Sequence, residues 1–219
     1  MKKKLVEEMC GAGILPVFRT RDLKHLMAAS RAYYDAGIRC IEYTLTMPDA
    51  LKLVREAVKT LPKDMVVGAG TIFDAATVEK AVKAGAQFIA GPGFVPEVVA
   101  ACRTLGVASV AGALTPTEIG AALKAGADVI KVFPACAVGP GFFAEVLGPF
   151  PGTVLMAAGG INIGNVGDYI KAGAGVATLL GNGLDAKAYA AGDAAAITAA
   201  ARKFVDAVAL ARRGASAKA

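Results

Sequence analysis

The chain has 219 residues, of which 55% are hydrophobic and 19% charged, a balance typical of a protein with a large packed core rather than of a disordered one. Its net charge of +6 comes from two terminal stretches, residues 2–4 and 212–218, and the 18 basic residues between them balance the 18 acidic ones. A nucleic-acid-binding surface would concentrate positive charge on a folded face, so we expect no nucleic-acid partner.

The first ten residues, MKKKLVEEMC, contain no apolar core segment, and no apolar run reaches the ~18–20 residues that span a bilayer. We therefore expect a cytoplasmic protein without a membrane partner, whose four scattered cysteines are free thiols. His25 is the only histidine, which argues against a Ser-His-Asp triad, a Cys-His pair and a His-rich metal site.

Three segments nearly repeat one another: KAGAQFIAG from Lys83, KAGADVIKV from Lys124 and KAGAGVATL from Lys171, with a looser copy, DAGIRCIEY, from Asp35. Each copy passes from a helical stretch through Ala-Gly to an apolar run. Glycine adopts the left-handed conformation that ends a helix, so each copy predicts a helix-to-strand transition. Breaks of this kind recur every 20 to 24 residues, which is the length of one strand, one helix and two short loops.

This spacing predicts eight strand–helix units, with strands at residues 13–18, 40–45, 65–71, 88–92, 108–112, 129–134, 154–159 and 175–181. Eight units favour a closed (β/α)8 TIM barrel. The alternative is a doubly wound open sheet, but its nucleotide fingerprint is missing because GAGIL lacks the third glycine in register. Residues 1–10 predict an extra N-terminal helix, and residues 1–219 would form a single barrel domain.

Polar groups follow the first and third predicted strands. Arg19 lies on the side of the barrel where active sites form, and it can bind a phosphate or a carboxylate. The third strand ends in GAGT, where the glycines leave room and Thr71 offers a hydroxyl and a backbone N–H to a carboxylate.

Two charged residues interrupt apolar strands: Glu42 in the second, CIEYTL, and Lys131 in the sixth, VIKVFP. Side chains alternate along a strand and Ile130 and Val132 should face the helices, so Lys131 points into the barrel, where burial favours a neutral, nucleophilic amine. The alternative is a strand-edge lysine that reaches solvent. Glu42 also faces inward, and the two can form an ion pair or exchange a proton. Buried pairs seldom increase stability, so a functional use explains them better.

Glycine loops end the last two strands. Gly159 and Gly160 precede Asn162, a predicted N-cap of the next helix, and LGNG occupies residues 180–183. Loops in these two positions are the usual phosphate site of barrel enzymes, although two ordinary turns would have the same sequence pattern.

Taken together, a lysine on the sixth strand, an inward glutamate on the second and a phosphate site at the last two resemble the KDPG/KHG aldolase family. The resemblance covers residues 8–210. Its motifs are PVFR at 16–19, IEYTLTMPDA at 41–50, GAGT at 68–71, PG at 92–93, LTPTE at 114–118, KVFPA at 131–135, GPFPG at 148–152 and GGIN at 159–162.

The resemblance implies a homotrimeric class I aldolase, a carbon–carbon lyase with no metal and no cofactor. Its substrates would be 2-keto-3-deoxy-6-phosphogluconate, cleaved to pyruvate and glyceraldehyde 3-phosphate, and 4-hydroxy-2-oxoglutarate, cleaved to pyruvate and glyoxylate. Lys131 would form the Schiff base and Glu42 would transfer protons. The pyruvate pocket would be formed by Thr71, Pro92 and Phe133. The phosphate site would be formed by Arg19, Gly159, Gly160, Gly181 and Asn182.

The chain departs from the family pattern at five positions. Thr46 stands where many relatives have an arginine for the pyruvate carboxylate, so we expect a weaker anchor there or one supplied by backbone groups. Ala158 replaces a threonine before the glycine pair, which relaxes recognition of the aldehyde half. The other departures are Ala111, Cys136 and Asn182.

Two other functions fit the sequence. A phosphosugar isomerase or epimerase would use Glu42 as its base and the same phosphate loops. A catalytically weak trimeric scaffold is the second alternative, because Ala111, Ala158 and the alanine-rich C-terminal region are consistent with a decayed pocket.

Overall fold

Glycines end helices and begin the turns into strands throughout the computed structural model, which describes residues 2–216. Gly106 and Gly126 directly follow helices and have left-handed φ angles of +72° and +89°. Gly37, Gly85 and Gly173 lie one residue beyond a helix cap and are left-handed as well. The predicted helix-to-strand transitions are therefore confirmed at these positions.

Eight parallel strands, β1–β8 in chain order, close into a barrel in which β8 pairs with β1. The predicted (β/α)8 barrel is confirmed, each strand lies within two residues of its predicted bounds, and the open-sheet alternative is wrong. The strands are Ile14–Phe18, Cys40–Thr44, Val66–Gly70, Phe88–Ala90, Ala108–Ala113, Val129–Val132, Leu155–Ala157 and Ala174–Leu180.

Ten α-helices, α1–α10, occur within residues 2–216, and the first is the predicted N-terminal helix. None of these helices combines the length and apolar character needed to cross a membrane. They are Lys2–Ala12, Leu26–Asp35, Ala50–Thr60, Ala75–Lys83, Pro96–Leu105, Pro116–Ala125, Gly141–Leu147, Val166–Lys171, Ala186–Ala191 and Ala194–Ser216.

The eighth predicted strand–helix unit has two helices after β8, α9 and α10, where the repeat pattern predicts one. Helix α10 covers the alanine-rich C-terminal region and packs against α2 and α8. Its buried residues recur every three or four positions, which gives the helix one apolar face; they are Ile197, Ala201, Phe204, Val208 and Ala211. The alanine-rich region therefore forms a helix that packs on the barrel through one face.

The strands separate two apolar clusters. Ile41, Tyr43 and Ile130 belong to the outer cluster between strands and helices, whereas Cys40 and Val129 belong to the cluster inside the barrel. This alternation means that every second strand residue enters the barrel.

Helix α1 closes the end of the barrel at which the strands begin. Met9 is 1% exposed and joins the interior cluster, with Leu5 and Val6 packed against it. Arg212 of α10 holds α1 in place by donating to the Gly11 carbonyl at 2.7 Å. Access to the barrel interior is therefore from the end at which the strands terminate.

Candidate active site

Lys131 of β6 has its side chain in the barrel interior. Its neighbours alternate as predicted, because Val129 lies in the interior cluster and Ile130 and Val132 in the outer one. Lys131 is 7% exposed and lines a cavity of about 550 Å³. Its partner on β5 is Gly112, which has no side chain to compete for this space. The lysine amine is therefore buried yet accessible from the cavity.

The amine of Lys131 also has an aromatic neighbour. Its Nζ lies 5.5 Å from the centroid of the Phe133 ring, a distance at which an ammonium group is attracted to the ring face. Phe133 lines the same cavity. It therefore forms an apolar wall beside the predicted nucleophile.

Glu42 of β2 is fully buried, and neither of its carboxylate oxygens has a hydrogen-bond partner in the described part of the chain. The direct hydrogen-bonded ion pair with Lys131, which was one of two predicted arrangements, is therefore not formed. The carboxylate lies against Gly70 of β3, where an added Cβ would come within 1.8 Å of Glu42 Oε1. A buried polar group without a partner costs about 1–3 kcal/mol, and more if charged, so its presence points to a chemical role.

A hydrogen bond between Arg19, which follows β1, and Thr71, which follows β3, connects the ends of these two strands. Arg19 Nη2 donates to the Thr71 hydroxyl at 3.4 Å. Thr71 has a φ of +64°, which a β-branched residue rarely adopts and which occurs most often at functional sites. Arg19 also lines the cavity, so its guanidinium supplies positive charge to the cavity wall.

The loop after β7 presents unpaired backbone donors. Gly159 and Gly160 line the cavity and have φ angles of +91° and +78°. Within residues 2–216, neither of their N–H groups has an acceptor. The prediction that Asn162 caps the following helix is wrong, because α8 begins at Val166 and its N-cap is Asn165. The Asn162 side chain instead accepts a hydrogen bond from the Gly164 N–H. The groups that could donate hydrogen bonds to an anion here are therefore backbone N–H groups of the loop and not a helix N-terminus.

Five predicted substrate-binding residues lie outside the cavity wall, namely Thr71, described above, and Thr46, Pro92, Asn182 and Gly181. Thr46 is exposed, with its hydroxyl 2.9 Å from that of Thr44. Pro92 packs against Gly112, where an added Cβ would lie 2.1 Å from the Pro92 carbonyl carbon. Asn182 is half-buried, and its Oδ1 is buried without a partner among the described residues. The structure thus brings Pro92 next to the strand partner of Lys131 but leaves Thr46 at the surface.

Gly181, also outside the wall, is held from both sides. Its N–H donates to the Val17 carbonyl at 2.8 Å, and its carbonyl accepts from the Tyr33 hydroxyl. Burial raises the pKa of Tyr33 well above its ordinary value, so this hydroxyl keeps its proton and acts as a donor. An added Cβ at Gly181 would also lie 3.0 Å from the Phe18 ring, which explains the glycine.

Thr178 of β8 was missed by the sequence analysis. It is 9% exposed and lines the cavity together with Lys131. The signal was present, because Val176 lies in the interior cluster and the alternation turns Thr178 inward as well. The remaining wall is largely apolar and comprises Val17, Ala158, Ile161, Ile163, Leu179, Leu180, Leu184 and Phe204 beside Asn162 and Gly183.

A barrel with ionisable residues inside and a cavity where the strands end has the arrangement of a (β/α)8 enzyme. The sequence model of the family "Aldolase: KDPG and KHG aldolase" matches residues 5–200. The chain therefore belongs to the KDPG and KHG aldolase family and is an aldehyde-lyase, which confirms the resemblance seen in the sequence.

Individual relatives agree with this assignment. The chain is 34% identical to 2-dehydro-3-deoxy-phosphogluconate aldolase of Treponema pallidum (strain Nichols), over 72% of this chain and 75% of that protein. It is 35% identical to the probable 2-dehydro-3-deoxy-6-phosphogalactonate aldolase of Rhizobium meliloti (strain 1021), over 65% and 68%. A solved native KDPGal structure superimposes with a TM-score of 0.80 at 28% identity, covering 91% of this chain and 95% of the other.

Proposed function

We propose that this chain is a class I aldolase that cleaves 2-keto-3-deoxy-6-phospho sugar acids to pyruvate and glyceraldehyde 3-phosphate, with Lys131 as the imine-forming residue. The observation that carries the proposal is a lysine amine on a buried strand that reaches a cavity, in a barrel that also holds an unpartnered carboxylate. The family assignment supports the same reaction.

The reaction begins when the Lys131 amine attacks the C2 ketone. The resulting carbinolamine loses water to give an imine, and protonation of its nitrogen makes it an electron sink. The C4 hydroxyl then loses its proton, the C3–C4 bond breaks, and its electron pair moves into the imine to give an enamine. The aldehyde leaves, the enamine is protonated at C3, and water releases pyruvate and regenerates the amine.

Glu42 is the proposed acid–base group in this sequence. Its oxygens have no partner among the described residues and so are free to accept and return the protons that move during carbinolamine formation, cleavage and C3 protonation. A positioned acid–base group typically contributes about 10²–10⁴-fold to the rate.

Different groups of the protein are assigned to the two halves of the substrate. We assign the pyruvate half to Phe133, Thr71 and Pro92, with Thr46 a weak anchor because it is exposed. The phosphate is assigned to loop amides and to Arg19, where a charge-assisted bond to an anion is strong. The amides are those of Gly159, Gly160 and Asn182, whereas the Gly181 N–H is already donated to the Val17 carbonyl.

Ala158 supports relaxed recognition of the aldehyde half. It lines the cavity directly before the glycine pair and offers a methyl group, not a hydroxyl, to the C4–C6 portion of the substrate. We therefore expect both the gluconate and galactonate forms to be cleaved, together with 4-hydroxy-2-oxoglutarate. Relatives named for either sugar acid have similar identity to this chain.

Borohydride trapping tests the imine. Pyruvate and borohydride should add one reduced adduct to the peptide that carries Lys131, and Lys131→Met should abolish both the adduct and the activity. Lys124→Met is the matched control, because Lys124 is exposed on α6 and should leave trapping intact. An active wild-type enzyme without an adduct on Lys131 would refute the proposal and favour isomerase or epimerase chemistry.

A comparison of substrates tests the phosphate site separately. The wild-type enzyme should cleave 2-keto-3-deoxy-6-phosphogluconate with a much higher kcat/KM than the same sugar acid without phosphate. Equal values would refute the anion assignment to the loops after β7 and β8 and leave the imine chemistry in place.

The resemblance further supports a homotrimer of single-domain barrels, 1–219, acting in the cytoplasm. Light scattering coupled to size exclusion should give three times the 22.1 kDa mass of the chain. A monomeric or dimeric mass at micromolar concentration would contradict this part of the proposal.

A further inference from the structure

Two backbone carbonyls beside the cavity are held by side chains from behind their loops. In a trans peptide the C=O and the following N–H point in opposite directions. A hydrogen bond that fixes the carbonyl therefore also fixes the direction of that N–H. The two carbonyls belong to Gly160, after β7, and Gly181, after β8.

Tyr33 fixes the peptide that joins Gly181 to Asn182. Its side chain on α2 is 1% exposed, and its ring meets the edge of Phe18 with centroids 6.1 Å apart, so the hydroxyl has a defined position. Because α2 lies outside the barrel, the Gly181 carbonyl turns outward and the Asn182 N–H points away from α2. The cavity wall contains residues on both sides of this peptide, Leu180 and Gly183.

Asn165 fixes the peptide that joins Gly160 to Ile161. Its Nδ2 donates to the Gly160 carbonyl at 2.9 Å, while its Oδ1 accepts from the Asn162 N–H at 2.8 Å. The side chain thus spans the loop from behind. The Ile161 N–H, which has no acceptor within residues 2–216, is turned to the opposite side, and Ile161 lines the cavity.

We propose that Tyr33 and Asn165 are positioning residues that aim the backbone N–H groups of Asn182 and Ile161 at the phosphate of the substrate. Neither side chain touches the substrate in this arrangement. The inference rests on the phosphate site of the proposed function and identifies what keeps that site preorganised. Fixed donors bind an anion better than mobile ones because less conformational entropy is lost on binding.

Tyr33→Phe is the first test, since it keeps the ring and removes the hydroxyl. We expect kcat/KM for 2-keto-3-deoxy-6-phosphogluconate to fall about three- to tenfold, mainly through a higher KM, because one net hydrogen bond is lost. The values for 2-keto-3-deoxygluconate should not change. The inhibition constant of inorganic phosphate should rise by the same factor as the KM.

Tyr43→Phe is the matched control. The Tyr43 hydroxyl is also buried and also loses a hydrogen bond, to Ser30 Oγ at 2.7 Å, but it contacts neither glycine loop. Its ring stacks on the same Phe18. A merely structural effect would therefore be similar in both variants, whereas the proposal predicts that phosphate dependence changes only in Tyr33→Phe.

Asn165→Ala provides a second test through the other loop, with the same expected loss for the phosphorylated substrate alone. The inference is overturned if the wild-type enzyme prefers the phosphorylated substrate and both variants keep that preference, or if they lose activity on the two substrates equally. If the wild-type enzyme itself does not prefer the phosphorylated substrate, the proposed phosphate site is refuted and this inference with it. Borohydride trapping would still test the aldolase chemistry independently.

Discussion

Gly70→Ala is predicted to disable catalysis through Glu42 without touching the substrate. The Cβ of an alanine at this position would lie 1.8 Å from Glu42 Oε1 and 2.5 Å from its Cδ, far inside van der Waals contact. Glu42 is fully buried, and the added methyl group would compete with its carboxylate for the same interior space. The substitution therefore shifts the proposed acid–base group away from its functional position.

The expected losses follow from this geometry. Overpacking a barrel interior by one methyl group should lower the free energy of unfolding by about 1–3 kcal/mol. Misplacing the acid–base group should lower kcat by about 10²–10⁴-fold. Pyruvate release, followed through coupled reduction by lactate dehydrogenase, measures the second quantity, and urea denaturation measures the first.

Gly68→Ala separates the two effects. Its added Cβ would meet the Phe88 ring at 2.1 Å, so it overpacks the same interior two residues away, and its nearest contacts do not include Glu42. We expect a similar loss of stability with kcat within about threefold of wild type. The reasoning is refuted if Gly70→Ala keeps wild-type kcat, or if Gly68→Ala loses as much activity at equal stability.

Three further predictions concern the loops and surface. Gly160→Ala should lower the free energy of unfolding by about 1–3 kcal/mol in a urea titration, because its φ is +78° and the new Cβ would lie 2.5 Å from Cys136 Cβ; wild-type stability would contradict the geometry. Hydrogen bonds, chiefly from the Leu114 N–H, hold the pKa of Glu118 below its usual 4.5, so this carboxylate stabilises the fold above that pH. Glu118→Ala should therefore have a lower melting temperature than wild type at pH 7. The difference in melting temperature should vanish as the pH falls through the lowered pKa, and a difference that does not depend on pH would count against this cause. An aromatic disulfide reagent should label exposed Cys136 rapidly, whereas Cys102, whose pKa burial raises to about 11, should react only on unfolding; rapid labelling of Cys102 in the native protein would contradict the described burial.

The sequence predicts those parts of this protein that depend on short-range rules. Glycine conformation and the spacing of the repeats are local, so the eight strands and their order followed from them. Alternation along a strand is local too, which is why Lys131 enters the barrel as predicted. The same rule applied to β8 would also have found Thr178.

Features that depend on relations between distant segments could not be predicted. Glu42 and Lys131 lie on β2 and β6, and whether they touch depends on the stagger of strands across the barrel. The bond from Tyr33 to Gly181 joins residues 148 positions apart and has no sequence signal. Thr46 follows β2 in an irregular turn, where no periodicity indicates that its side chain is exposed.

The isolated carboxylate of Glu42 has a consequence for the evolution and engineering of this enzyme. Replacing a buried unpartnered acid with an apolar residue of similar volume commonly increases stability, so Glu42→Leu should unfold at a higher temperature than wild type. That variant should also be nearly inactive. If Glu42 is the proposed acid–base group, selection for heat resistance alone would favour its loss, and only selection for turnover would keep a carboxylate at this position.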